Sequence, residues 1–255
     1  MYRAFFKKEG FFVSGHSKWS TIKRKKAKVD AQRGKIFTRL SKEIIIAARN
    51  GGPDPAGNMR LKAAVEKARA ANIPNENIQR AIQKGAGGGE GTHFEEFSYE
   101  GYGPGGVAIL LYVATDNRNR TAGEVRHILS KHGGNLGETG CVSWMFKEKG
   151  VMILDRSEAK ISEDDLMLAA IEAGAEDVKV EEDSFEITTA PEDFESVRST
   201  LAEQGIPIAD AEIAMVPQTN VKLQGEEAEK MIKIIDLLED NDDVQAVYTN
   251  FVMEE

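Results

Sequence analysis

The residues best suited to bind a charged partner form a basic run between Gly15 and Leu40, GHSKWSTIKRKKAKVDAQRGKIFTRL. This segment contains nine Lys/Arg residues and a single acidic residue, Asp30. Clustered ammonium and guanidinium groups bind the phosphate oxygens of polyanions. The segment therefore predicts a polyanion-binding surface. Its candidate contact residues are Lys18, Trp19, Lys23, Arg24, Lys25, Lys26, Lys28, Arg33, Lys35 and Arg39.

The charge of the chain is divided between its two ends. Residues 1–90 contain 20 Lys/Arg and 7 Asp/Glu, whereas residues 91–255 contain 13 and 35, and the net charge is −9. A basic end attracts a polyanion, and an acidic remainder repels it. A solvated helix face is the commoner explanation of a charge run, but it predicts mixed signs, which the basic segment lacks.

The spacing of the basic residues favours contact with a nucleic-acid backbone over base reading. In a helix over residues 17–31, Lys23, Arg24, Lys26 and Lys28 would cover more than half of the circumference. Binding should then depend strongly on salt and weakly on sequence. Trp19 could stack on an unpaired base, although a core anchor is the favoured interpretation. No zinc finger or RNP motif is present, and a helix-turn-helix stays open.

A second pair of basic residues follows a predicted buried strand. Thr121 and Glu124 match a capping box, which predicts that a helix begins at Thr121. Arg118 and Arg120 would then lie in the loop at the N-terminus of that helix, where free backbone N–H groups and guanidinium groups can bind phosphate. A polar loop without such a role is an equally good interpretation.

The sequence lacks the residue patterns of a catalytic or metal site. Of the four histidines, His16, His93, His127 and His132, only the last two are close in sequence, and their i, i+5 spacing is not that of a zinc-binding helix. The chain has no G-x-S-x-G motif, and its one cysteine, Cys141, excludes an intrachain disulfide. The acidic run at residues 239–243 lacks the glycine and terminal glutamate of a calcium loop and predicts a solvated turn.

Two glycine-rich strings also fail as phosphate-binding motifs. The string KGAGGGEG has no Lys-Ser/Thr pair at its end, and GYGPGG lies between two strands and contains Pro104. We expect the first to be a flexible linker.

Hydrophobic periodicity predicts an all-helical N-terminal part. Helices are expected over residues 17–31, from Lys35 to about Asn50, over residues 57–71, and after Asn75, which would cap the last of them.

After the linker, strands alternate with single helices. Predicted strands cover residues 95–102, 107–114, 141–146, 151–154, 176–180, 185–189, 208–216 and 244–252, with a hairpin around KEKG. Predicted helices cover residues 163–173, capped by Ser162, 191–204 and 225–239. This order predicts α+β layers with antiparallel sheets.

The predicted fold class is a multidomain α and α+β protein. Its predicted parts are a disordered extension (1–15), a basic helical domain (16–84), a Gly-rich linker (85–92), an α+β domain (93–133 plus 206–255) and an inserted α+β domain (134–205). The composition is typical of a soluble globular chain, with no apolar run long enough to span a membrane. Residues 1–15 lack the continuous apolar stretch of a signal peptide, so a cytoplasmic location is expected, and removal of residues 1–14 should change nothing.

Long strings of the sequence resemble one family. GHSKWSTIKRKK, RGKIFTRLSKEI, PDPAGNMRL, NIPNENIQRAI and FEEFSYEGYGPGGVAILL are similar to the YebC/PmpR family, which includes the mitochondrial translational activator of cytochrome c oxidase. The similarity extends from Gly15 to Glu255. Members usually begin with Met-Ala just before the Gly-His-Ser-Lys-Trp string, so the extra N-terminal residues depart from the family pattern.

The resemblance implies one helical and two α+β domains, no enzyme activity and no cofactor. It implies a nucleic-acid partner: DNA for the members described as transcriptional regulators, or ribosomal RNA for those that resemble translation factors. A protein-interaction adaptor is a third possibility. We expect neither a membrane partner nor a small-molecule substrate, and the oligomeric state stays open, with a monomer favoured.

Overall fold

The computed structural model describes residues 29–87 and 93–253, with side chains from residue 34 onward. Its helices are α1 (Val29–Gly51), α2 (Met59–Ala70), α3 (Asn75–Ala86), α4 (Arg118–Lys131), α5 (Glu163–Ala173), α6 (Phe194–Glu203) and α7 (Gly225–Glu239). Its strands are β1 (Glu95–Tyr102), β2 (Ala108–Thr115), β3 (Asn135–Leu136), β4 (Phe146–Asp155), β5 (Asp177–Val180), β6 (Ser184–Thr189), β7 (Asp210–Pro217), β8 (Val221–Leu223), β9 (Val244–Thr249) and β10 (Phe251–Met253). The expected fold class, a helical part followed by two α+β parts with separate antiparallel sheets, is confirmed.

The described chain divides into two compact units. One contains residues 29–144 and 229–249, and the other contains residues 145–228 and 250–253.

The helical part of the first unit packs α1, α2 and α3 around a common apolar core. Ile44, Leu61 and Ile78 are each at most 1 % exposed at its centre. Asn58 joins α1 to α2, because its Nδ2 donates to Ala47 O at 2.7 Å while its Oδ1 accepts from Leu61 N at the start of α2. The amphipathic spacing of these helices was therefore a sound guide to their buried faces.

The same unit contains a four-stranded sheet in the order β3-β1-β2-β9, whose strand pairs are antiparallel. A Cβ at Gly101 would lie 3.3 Å from Leu129 Cδ1 of α4, and one at Gly103 would lie 2.6 Å from Met231 Sδ of α7. Since Gly101 and Gly103 are two residues apart along the strand direction, both helices cover the same face of the sheet.

The second unit contains an antiparallel sheet in the order β5-β6-β4-β7 and the short parallel pair β8 and β10. Met152, Leu166, Ile187 and Leu201 are fully buried between this sheet and its helices α5 and α6. The predicted helix over residues 163–173 and its Ser162 cap are both confirmed, with Asp165 N donating to Ser162 Oγ at 3.1 Å.

Several predicted helix boundaries are wrong. The chain is one continuous helix across residues 31–35, and α3 is preceded by Pro74, so Asn75 does not cap it. Helix α4 begins at Arg118 and not at Thr121, because the side chain of Asn117 accepts the backbone N–H of Arg120 and caps the helix one turn earlier.

The predicted strand boundaries are wrong where pairing with distant segments determines the extent of a strand. The expected hairpin around KEKG is a single strand, β4, because both β6 and β7 pair with it and Phe194 packs directly over Gly150. The expected last strand is divided at Asn250 between β9 and β10. Strand β7 pairs with β4, although the predicted boundaries placed it in the α+β domain of residues 93–133 plus 206–255. The domain boundaries themselves stay a prediction.

Candidate nucleic-acid interface

Most of the predicted contact residues precede the described part of the chain. Lys18, Trp19, Lys23, Arg24, Lys25, Lys26 and Lys28 lie outside the described residues, and Arg33 is described only as a backbone position in α1. Their role in binding stays a prediction. The described predicted contacts are Lys35, Arg39, Arg118 and Arg120.

Lys35 and Arg39 lie on the face of α1 that is turned toward the acidic run at residues 239–243. Lys35 Nζ is 3.1 Å from Asp240 Oδ1. Burial lowers the pKa of Arg39, while the nearby carboxylates of Glu239, Asp242 and Asp240 act in the opposite direction. Arg39 Nε is buried and has no hydrogen-bond partner among the described residues. This face of α1 is therefore largely neutralised within the molecule.

Lys42, one turn further along α1, was not predicted as part of any site. Its Nζ is 2.7 Å from Asp243 Oδ1 and 2.9 Å from the carbonyl oxygen of Asp242. The 35, 39, 42 spacing places three basic side chains on one helix face, and this spacing was the only sequence signal for the contact.

The acidic run at residues 239–243 does form a turn before β9, with Asp240 and Asp242 exposed, but Asp243 at its end is the centre of a buried polar cluster. It is 4 % exposed. Its Oδ2 lies 2.6 Å from Arg120 Nη2, 3.0 Å from Thr115 Oγ1 and 2.9 Å from Thr121 Oγ1. Burial alone would raise the pKa of Asp243, but the hydrogen bonds from Arg120, Lys42 and Thr121 lower it to about 2. The carboxylate is therefore charged and held by two cations.

Arg118 and Arg120 both lie in the first turn of α4 and not in a loop. Arg120 bridges Asp243 and Asp116, at 2.6 and 3.0 Å. Arg118 lies over the ring of Phe97, with 4.3 Å between Cζ and the ring centroid, and its Nη1 is 3.6 Å from Glu95 Oε2. Arg118 retains 60 % side-chain exposure, so it is the better placed of the two for an external phosphate.

Glu100 holds a loop of the same unit in place. Its carboxylate accepts the backbone N–H groups of Gly140, Val142 and Ser143 at 2.7 to 2.8 Å. Burial would raise the pKa of Glu100, but these three backbone hydrogen bonds more than offset the effect, so the pKa is lowered. The group was not predicted, because no spacing in the sequence relates Glu100 to a loop 40 residues later.

The helical part retains free positive charge after these contacts. Residues 29–87 contain 11 Lys/Arg and 5 Asp/Glu. Arg60 is paired with Glu43 and Glu96, and Arg80 with Glu76. Lys62, Lys67, Arg69 and Lys84 are exposed and form no ion pair with any described residue.

Residues 29–87 and 93–253 lack two further kinds of functional feature. They contain no group of three or more His, Cys, Asp or Glu side chains arranged to hold a metal ion. Within the same residues, no helix has both the length and the apolar character that crossing a membrane requires.

These features define a class of protein in which a basic helical part precedes two acidic α+β parts. The family model described as the TACO1/YebC N-terminal domain matches residues 17–88, and the model described as the second and third TACO1/YebC domains matches residues 94–251. The chain belongs to the TACO1/YebC family, as its sequence strings indicated.

Curated relatives and a solved structure agree with this assignment. A probable transcriptional regulatory protein of Desulforamulus reducens is 80 % identical over 94 % of this chain and 99 % of its own length. A protein of the same name from Pelotomaculum thermopropionicum is 63 % identical over 95 % of this chain and its full length. The crystal structure of a conserved hypothetical protein from Aquifex aeolicus matches with a TM-score of 0.83 and 52 % identity, covering 94 % of this chain and 98 % of that chain.

Proposed function

We propose that this chain is a non-enzymatic, nucleic-acid-binding regulator of gene expression that acts in the cytoplasm and binds DNA through its basic helical part. One observation carries the proposal: residues 1–90 hold 20 basic and 7 acidic residues, while residues 91–255 hold 13 and 35. Such a division attracts the phosphate backbone to one end of the molecule and repels it from the other. The names of the curated relatives support a role in regulation.

The internal contacts indicate which basic residues are available for this role. Lys35 and Lys42 have carboxylate partners in residues 240–243, so they contribute less to external binding. The main contact is therefore assigned to the run Lys23, Arg24, Lys25 and Lys26, where the sequence has four consecutive cations. Exposed Lys62, Lys67 and Arg69 of α2 extend the positive potential of the helical part.

A second candidate is a translation factor that binds ribosomal RNA. The run from Lys18 to Lys28 is rich in cations and contains few apolar residues, a composition similar to that of arginine-rich segments that bind folded RNA. Both candidates share the phosphate backbone and differ in the molecule that presents it.

The shared part of the proposal is tested by reversing the charge of four residues. The variant Lys23→Glu, Arg24→Glu, Lys25→Glu, Lys26→Glu should lose binding to both a duplex DNA probe and a structured RNA probe, with an unchanged circular dichroism spectrum. Glu substitutions at Lys147, Lys149, Lys160 and Lys222 of the second unit provide the matched control with the same change in charge. Full binding by the folded quadruple variant would refute the assignment of the main contact.

The choice between DNA and ribosomal RNA is tested by sedimentation of a cell lysate through a sucrose gradient, with and without nuclease. At ~150 mM salt, where the Debye length is about 8 Å, DNA binding predicts nuclease-sensitive association outside the ribosomal fractions. Co-migration with ribosomes at that salt would favour the translation factor instead.

A further inference from the structure

Basic residues are concentrated in α4, although the surrounding part of the chain is strongly acidic. Residues 93–253 contain 33 Asp/Glu and 13 Lys/Arg, and four of those 13 bases, Arg118, Arg120, Arg126 and Lys131, lie within the 14 residues of α4. The helix also contains His127 and only one acidic residue, Glu124. Helix α4 is therefore locally rich in positive charge on an acidic background.

The basic residues of α4 fall into two groups with different partners. Arg118 and Arg120, in the first turn, are paired with carboxylates as described above. Arg126 and Lys131 are exposed, and neither forms an ion pair with any of the described residues. Glu124, the one acidic residue of α4, accepts a hydrogen bond from Asn241 Nδ2 at 2.7 Å and forms no ion pair with Arg126 or Lys131. The second half of α4 therefore presents unneutralised cations to solvent.

One lysine of the neighbouring helix α7 lies near the C-terminal end of α4. The pKa of His132, which caps the C-terminal end of α4, is lowered first by burial and then by the positive charges of Lys131, Lys233 and His127. Lys233 belongs to α7, is exposed, and has no ion-pair partner within the described chain. Arg126 and Lys131 of α4 and Lys233 of α7 are thus exposed cations with no ion-pair partner among the described residues, and we call this set the α4 basic face.

Gly123 is an independent feature of the same face. It lies inside α4, its φ is not in the left-handed region, and a Cβ added there would meet nothing within 4 Å. Glycine in a helix interior is unfavourable relative to alanine, and neither backbone conformation nor packing requires it here. One turn separates it from Arg126 and His127 on one side and from Asn119 on the other. A glycine one turn from Arg126 and His127 allows another backbone to approach the helix closely.

We propose that the α4 basic face is a second contact for the phosphate backbone of the bound nucleic acid, separate from the N-terminal basic run. The inference rests on the proposed function. Its chemistry is phosphodiester recognition by Arg126, Lys131 and Lys233, with the backbone passing over Gly123 and without base reading. A nucleic acid that contacts both surfaces is positioned at two places, which fixes its direction on the protein.

The first test removes the three cations and measures binding against salt. The probes are a fluorescein-labelled RNA strand and a labelled DNA duplex, each about 20 nucleotides or base pairs long. Arg126→Gln, Lys131→Gln and Lys233→Gln together should weaken binding about tenfold at ~150 mM salt. The slope of log Kobs against log salt should fall by about 3 for the duplex and about 2 for the single strand. The control variant Lys147→Gln, Lys160→Gln, Lys222→Gln removes the same charge from the second unit and should bind like the unaltered chain.

The outcomes separate this inference from the proposed function. If the unaltered chain binds either probe and the triple α4 variant binds equally well with the same slope, the inference is overturned and the proposed function stands. If the unaltered chain binds neither probe, both are overturned. An effect on one probe alone would support the contact and identify which nucleic acid provides the backbone.

The second test adds a neutral side chain at Gly123, which changes the shape of the surface but not its charge. Gly123→Gln adds a neutral, helix-compatible side chain where the structure has open space, so the fold should be at least as stable as that of the unaltered chain. If a backbone passes over this position, the variant should bind several-fold more weakly, whereas Gly123→Ala should change affinity little. Equal affinity of the Gln variant and the unaltered chain would contradict the close approach.

Discussion

At the residue scale, Asp243 shows how one carboxylate of an otherwise exposed acidic turn is accommodated in the interior. Its two carboxylate oxygens have separate partners, with Lys42 on Oδ1 and Arg120, Thr115 and Thr121 around Oδ2. A buried carboxylate is tolerated only when it is paired and hydrogen-bonded. Asp243 thereby connects α1 of the helical part with the sheet and α4 of the same unit.

Replacing Asp243 by asparagine should destabilise the protein strongly. Asp243→Asn leaves Lys42 Nζ, whose side chain is 11 % exposed, beside a neutral amide, and loss of one partner of a buried pair costs about 3 to 5 kcal/mol. Urea denaturation would measure the change in the free energy of unfolding. The control Asp240→Asn removes the exposed pair with Lys35 and should cost less than about 1 kcal/mol. Similar values for the two variants would show that the cluster has no special role.

The pKa of Asp243 also predicts how stability depends on pH. The folded-state pKa of about 2 lies below the unfolded value, near 3.9, so the ionised cluster contributes its full stability above about pH 4. The contribution should decline as pH falls from about 4 to 2, because the unfolded chain takes up the proton more readily. The difference in unfolding free energy between the unaltered chain and Asp243→Asn, measured at several pH values, should narrow over that range. A constant difference would contradict the assignment.

Glu100 provides a prediction of the same kind for one loop. Glu100→Gln removes the charge that accepts three backbone N–H groups, and loss of charge-assisted hydrogen bonds at a buried group costs about 1 to 3 kcal/mol. Amide hydrogen exchange should accelerate at Gly140, Val142 and Ser143. Glu138→Gln, at an exposed position of the same loop, is the control and should leave exchange unchanged.

At the element scale, the sequence was a better guide to helices than to strands. The predicted bounds of α5 and α7 are confirmed because periodicity and caps act within a few residues. The predicted start of α4 was wrong because the sequence offers two possible N-caps, and the helix is capped by Asn117 and not by Thr121. Strands β8 and β10 were missed as a pair, since each has three residues and their partnership depends on a parallel contact between distant segments.

Substitution of two helical glycines by alanine should change the stability of the protein in opposite directions. Gly123→Ala in α4 adds a methyl group into open space and should raise the free energy of unfolding by about 0.5 to 1 kcal/mol. Gly85→Ala in α3 places the methyl group against the carbonyl oxygen of Ile45 and 2.8 Å from Ala48 Cβ, so α3 must move away from α1 and stability should fall. Thermal denaturation of Gly123→Ala and Gly85→Ala would measure the two changes in stability. Destabilisation by Gly123→Ala would show that α4 is covered at that position.

At the scale of the whole molecule, the distribution of charge was easier to predict than the ion pairs that the charged side chains form. The division into a basic and an acidic end follows from counting residues. Which cations remain free cannot be obtained that way, because Lys35 and Arg120 are neutralised by Asp240 and Asp243, carboxylates more than 100 residues away. Distant pairing therefore decides the composition of the interface, and the predicted set needs Arg126, Lys131 and Lys233 added to it as a proposal.

The distribution of free cations predicts binding with little sequence preference. Lys62, Lys67 and Arg69 of α2 and Arg126 and Lys131 of α4 lie on exposed helix faces. Such contacts are made with phosphates, so unrelated DNA duplexes of equal length should bind within about tenfold of one another and share one steep salt dependence. Competition among randomised duplexes would measure the range. Enrichment of one sequence with more than about 10³-fold higher affinity, typical of direct base readout, would contradict the backbone mode and require a groove-reading element in the basic helical part.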